Sequence, residues 1–287
     1  DAERGLSSTS GGGSTSEAGS PGDGEAATGE SITNGESGTK SETRIAEADP
    51  FARAEVLAAR GEYAQASALY QKAAASSEAR GLLAEAGISY AEAAQCVALA
   101  DDEDRAHELF GKAAALLAAG GADHDVTLRV LNAWAPVAAR IGDMDALISA
   151  LRSLRTMGMQ PIVTEHVSED LAQRERRTRA LLLAATRDLL ARCVAVRAPE
   201  QAIEDAVAAA HEFASLGQPR HSAQARWLAA RLYRDTGNTI EAIASYELAL
   251  GGMTGDSRAE AAGELMTLFR EAGLPEQADQ VLERFGI

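Results

Sequence analysis

Apolar and small residues recur along this chain at three- and four-residue steps, and the clearest run lies between Gln224 and Leu250. They fall at Trp227, Ala230 and Tyr233, then at Ala242, Tyr246 and Ala249, with Gly237 and Asn238 between the two sets. Such steps place side chains on one face of a helix. The spacing therefore predicts a helix, a glycine-centred turn and a second helix. Small Ala242 lets the two helices approach closely, and Tyr246, one turn further on, fills the space beside them.

The same punctuation returns through most of the sequence. In the first unit Gly61, Tyr63, Ala66, Tyr70 and Ala73 follow a helical run from about Arg44 to Arg60. A second unit pairs Ser77 to Leu99 with Glu103 to Ala119, where Ala106, Phe110 and Ala113 repeat the ladder across an Asp101-Asp102 turn. The third, from about Asp123 to Met157, has Gly142 and then Leu147, Leu151 and Leu154 in place of the ladder. The stretch from Met157 to Val167 breaks the periodicity, and Pro161 with Gly158 ends the helix before it. A long helix is expected from Ser168 to about Val196, opened by Ser168, Glu169 and Asp170, which suit a helix N-terminus. Pro199 starts the next, with Ala202, Ala206 and Ala209 on the ladder. The run that opens this section is the fifth unit, and the sixth spans Asp256 to Phe285. The anchors Ala66, Ala106, Leu147, Ala202, Ala242 and Ala278 are separated by steps of 40, 41, 55, 40 and 36.

A Gly before the second helix, then Ala, an aromatic four later and Ala three after that, resembles the tetratricopeptide repeat. Gly237, Ala242, Tyr246 and Ala249 carry the resemblance, as do Gly61, Ala66, Tyr70 and Ala73. It is closest in units one and five and faintest in three and four. Most steps exceed that repeat's usual length of about 34 residues, so extended helices and irregular curvature are expected. A lone helix pair cannot cover its apolar face, so each unit stacks on the next. The expected fold is all-α, a right-handed superhelical α-solenoid of about six helix-turn-helix repeats over residues 46–287. A sub-boundary near 157–167 would let two half-solenoids meet.

Residues 1–45 read differently, as a disordered tail. Gly, Ser and Thr supply 25 of the first 43 residues, and the first aromatic residue of the chain is Phe51. Such a segment buries too little apolar area to offset its ordering entropy. The chain opens on Asp1 without Met, which suits a processed product or a piece of something longer.

Charge and chemistry narrow the function. A net charge of -16 disfavours direct binding to nucleic acid or to an anionic membrane, each of which asks for a basic surface. Cys96 and Cys193 lie mid-helix in apolar runs and read as buried reduced thiols, so a cytoplasmic protein is expected. No phosphate loop, His-Glu-x-x-His, Gly-x-Ser-x-Gly or zinc-type spacing occurs, and the five histidines fall on different elements. No catalytic residue, cofactor or metal site is assigned, and the chain is read as a non-enzyme.

One local feature stands out. From Arg174 to Arg234 eleven arginines face six acids, a local +5 (11 − 6) in an acidic protein. The resemblance implies that the first helix of each unit lines a concave wall, and on that register Arg187, Trp227, Arg231 and Arg234 face the groove. Guanidinium forks bind carboxylates in a bidentate way. The implied activity is a scaffold or adaptor that binds an acidic protein or peptide partner, with Trp227 as an aromatic platform. On this register, Arg231→Glu with Arg234→Glu should remove capture of such a partner and leave helicity and melting unchanged. The bland reading of the same arginines is a set of solvated helix faces paired with nearby acids. A second function class is the sensor or oligomerisation segment of a larger transcriptional or signalling regulator.

Overall fold

A computed structural model of the chain describes residues 49–160 and 168–286. The tail of residues 1–45 and most of the 157–167 break lie outside the described residues. Twelve helices occur among the described residues: α1 (Pro50–Ala59), α2 (Tyr63–Ala79), α3 (Leu83–Leu99), α4 (Glu103–Ala119), α5 (His124–Ile141), α6 (Asp145–Gly158), α7 (Glu169–Val194), α8 (Pro199–Ser215), α9 (Pro219–Asp235), α10 (Thr239–Gly252), α11 (Asp256–Glu271) and α12 (Pro275–Phe285).

One turn recurs. After α1, α2, α4, α8, α9 and α11 a glycine takes positive φ, at Gly61, Gly81, Gly121, Gly217, Gly237 and Gly273. The N–H of the next residue then reaches back five positions, as from Glu62 to the Leu57 carbonyl and from Asn238 to that of Tyr233, which satisfies carbonyls left open at the helix end. After α3 the same closure runs from Asp102 to Val97 around Asp101, a non-glycine residue held at φ 62.

Consecutive helices pack together, and contacts also run α3 to α5, α5 to α7 and α4 to α6. The odd-numbered helices thus form one layer and the even-numbered helices the other, as in a stacked superhelical array. All six ladder anchors are fully buried, Leu147 included, so the third unit departs from the pattern in side-chain type and keeps its geometry. One apolar cluster runs from Ala54 on α1 to Leu232 on α9, and a second from Ala223 to Val281. Trp134, buried on α5, lies in the first cluster and donates its indole N–H to His107 Nδ1 at 3.1 Å. Helix α7 is the longest, and Gln173 to Thr178 on its first half are exposed. Arg174, Arg176 and Arg177 belong to that exposed half, so part of the arginine excess faces solvent there.

Candidate functional site: the inner wall

The four residues that the repeat register singles out do not gather in one place. Arg187 on α7 turns toward α8, where it pairs with Glu212 and lies 3.7 Å from Asp205 Oδ1. Asp205 also meets Arg155 of α6 at 3.4 Å. Burial pushes the Asp205 carboxyl up and the two arginines oppose this, so the group ties α6, α7 and α8 together.

Trp227 and Arg231 do come together on one carboxylate, while Arg234 pairs with Asp235 at 2.9 Å and reaches that site only through the Tyr246 hydroxyl. Trp227 Nε1–H donates to Glu264 Oε2 at 2.7 Å, and Arg231 donates to Glu264 Oε1 from Nε at 2.9 Å and from Nη2 at 2.7 Å. Tyr246 O–H donates to Glu264 Oε2 at 3.0 Å, and Arg234 Nη1 approaches that hydroxyl at 3.4 Å. The Arg231 guanidinium lies 3.9 Å from the Trp227 ring centre, a cation–π contact. Burial pushes the Glu264 carboxyl up, but hydrogen bonds from Arg231 and Trp227 outweigh it and hold it below the ordinary value. The expectation that Arg231 and Arg234 could be reversed in charge without a change in melting does not survive this geometry. A glutamate at 231 would face Glu264 and Glu260 and unpick the join of α9 to α11, and one at 234 would face Asp235.

Other residues of the odd-numbered layer stand open. A cavity of about 430 Å³ is lined from α5 by Leu128, Arg129 and Asn132, from α7 by Asp188 and Arg192, and from α9 by His221 and Gln224. A second cavity of about 320 Å³ shares His221 and Gln224 and adds Arg220 of α9, Met253 and Thr254 of the connection to α11, and Ser257 on α11. Together they touch α5, α7 and α9 and, through Ser257, α11. The side chain of Arg129 is 76% exposed and its pairing with Asp125 is loose, at 3.9 Å. Arg192 is half exposed and bonds Asp188 at 2.7 Å. Burial raises the Asp188 carboxyl above its ordinary value, and Arg192 opposes the rise. Pro136 within α5 has no N–H to give to the Asn132 carbonyl, its helical partner. The wall offers guanidinium forks together with the Asn132 and Gln224 amides, a set suited to carboxylates. The arginine excess pointed to Arg192 and Arg220, but Arg129, Asn132 and Gln224 carry no sequence signal, since layer membership and the lack of a firm partner are what distinguish them.

Among the described residues no group of His, Cys, Asp or Glu could hold a metal ion, and no helix is long and apolar enough to cross a membrane. Burial raises both thiols, that of Cys193 to about 11.

No family profile matches the chain, and no curated protein matches it in sequence. Its fold does match solved structures. BtubC (BKLC) from P. vanneervenii is similar with a TM-score of 0.52 and 16% identity, over 86% of this chain and 89% of that one. Kinesin light chain nearly identical TPR-like repeats from Podosopora anserina match with a TM-score of 0.51 and 18% identity, over 69% and 92%. A Signal Transduction ATPase with Numerous Domains with a tetratricopeptide repeat sensor, from Pyrococcus horikoshii, gives a TM-score of 0.56 at 17% identity over 85% of this chain and 36% of that one. At these identities the likeness is one of fold: the helical array is a tetratricopeptide-type α-solenoid.

Proposed function

We propose that the chain is a non-catalytic, cytoplasmic scaffold whose inner wall holds a protein or peptide segment bearing acidic side chains. The two adjoining cavities across α5, α7, α9 and α11 carry this reading, because they set Arg129, Arg192 and Arg220 beside the Asn132 and Gln224 amides. Arg231 and Arg234, with Trp227 beneath Arg231, extend the surface toward α11. The Arg231 partner Glu260 is 60% exposed, so an incoming carboxylate can take its place. Arg187 serves the wall by fixing α8 against α7.

The test is quantitative affinity capture from the native lysate with the full chain and with Arg129→Glu plus Arg220→Glu. Partners that salt displaces from the parent should be absent from the variant while melting is unchanged. Equal capture by both would overturn the groove assignment. A second reading, the sensor segment of a larger transcriptional or signalling regulator, draws on the Pyrococcus horikoshii neighbour, which carries its repeats as a sensor within a longer chain.

A further inference from the structure

The inner wall does not keep one sign along its length. Glu55 on α1, Glu92 on α3 and Arg129 on α5 stand 37 residues apart (92 − 55 and 129 − 92), one step from inner helix to inner helix. Glu55 is exposed and Glu92 half-buried. Burial, and then the Glu55 charge, hold the Glu92 carboxyl above its ordinary value, while Arg129 pulls it the other way. Tyr70, buried in the core, is pushed up to about 12 by burial first and then by Glu92, Cys96 and Glu55. The shared register sets the three charged groups on successive odd-numbered helices, with α3 packed against α5, and the sign changes between those two. Beyond that change come Arg129, Arg192 and Arg220, which line the two cavities. Glu85 on α3, also exposed, adds to the acidic end. A solvated face would spread its like charges apart. Here a half-buried carboxylate on α3 shares its register with an exposed one on α1, an arrangement that an arriving ammonium or guanidinium would relieve.

We infer that the segment held by this wall is bipolar, with basic side chains over Glu55 and Glu92 and acidic side chains over Arg129, Arg192 and Arg220. This rests on the groove reading above and adds the segment's second charge and the direction in which it lies. Complementary charge along a groove sets orientation and rejects wrong registers more than it adds affinity.

A phage-displayed library of random peptides panned on the full chain at low salt tests it. Enriched sequences should carry a basic block and an acidic block in one fixed order. A synthetic peptide of that kind should bind about tenfold more weakly to Glu55→Gln with Glu92→Gln, while a purely acidic peptide should bind both proteins alike. Weaker binding of the acidic peptide to Arg129→Gln with Arg220→Gln would show that its other half is seated as stated. Enrichment of purely acidic peptides, indifferent to Glu55 and Glu92, would overturn the bipolar inference and leave the groove reading standing. A library that yields no peptide sensitive to either pair of variants would overturn both. Melting of the variants no lower than that of the parent separates these outcomes from a loss of fold.

Discussion

Glu264 receives hydrogen bonds from Trp227, Arg231 and Tyr246, and so joins α9, α10 and α11 through one side chain. It is 21% exposed and Arg231 35%, so solvent screens the pair in part. Glu264→Ala should cost about 2 kcal/mol, chiefly by stranding the donors around it; equilibrium urea unfolding measures this. Its carboxyl is held below the ordinary 4.5, so its contribution is present above that pH and lost as pH falls through the lower folded value. Melting of the parent should therefore drop on acidification more steeply than that of Glu264→Gln. Glu92 has the opposite sign. Its raised carboxyl disfavours the charged form, so Glu92→Gln should stabilise by about 0.5 kcal/mol at neutral pH. That gain should fade as pH falls through the Glu92 value, where the parent carboxyl takes up its proton. A neutral-pH loss of stability in Glu92→Gln would show that the acid pair carries no strain.

Among the helices, the glycines sort by what a methyl group would meet. At Gly120 a Cβ would stand 2.4 Å from the backbone nitrogen of Ala84, where α4 ends against the start of α3. Backbone cannot swing aside, so Gly120→Ala should cost about 2 kcal/mol or more. At Gly263, inside α11, a Cβ would meet nothing within 4 Å, and at Gly111, inside α4, only the Trp134 ring at 3.8 Å. Alanine at either position should stabilise by about 0.5–1 kcal/mol through lost unfolded-state freedom. Thermal melts of the three variants decide the set, and equal effects at Gly120 and Gly263 would contradict the close approach. Asp101 gives the converse case. It holds the left-handed turn position that Gly61, Gly81 and Gly237 fill elsewhere, so Asp101→Gly should raise Tm.

In the whole array each unit leans on its neighbours, so stability is shared locally along the row. Two apolar clusters meet at α9, and the second is closed on its outer side by α12, where Ala278 and Val281 are buried and Leu282 remains 42% exposed. Native-state hydrogen exchange should show α10 to α12 opening at a lower free energy than α3 to α5. Glu264→Gln should lower that opening cost for α10 to α12 and leave α3 to α5 unchanged. Uniform protection from α1 to α12 would instead mark one cooperative unit.

Most helix positions and the core were legible from residue order because each depends on local spacing. The helix expected from Ser77 to Leu99, however, starts only at Leu83, because residues 77–79 finish α2 and Gly81 turns the chain. Ala66, Ala106, Leu147, Ala202, Ala242 and Ala278 needed only periodicity to be identified, and all are buried. Of the candidate site, the sequence found the arginine-rich region and brought Trp227, Arg231 and Arg234 into one register. It could not tell a free guanidinium from a paired one, since Glu264 lies 33 residues from Arg231 and Glu212 lies 25 from Arg187. By itself, then, the sequence determined a stack of helix pairs, because repeating apolar faces have few ways to hide from water. Tertiary structure alone decided which charges stay available on the odd-numbered layer, because an ion pair forms between whichever side chains the stacking of helices brings within reach.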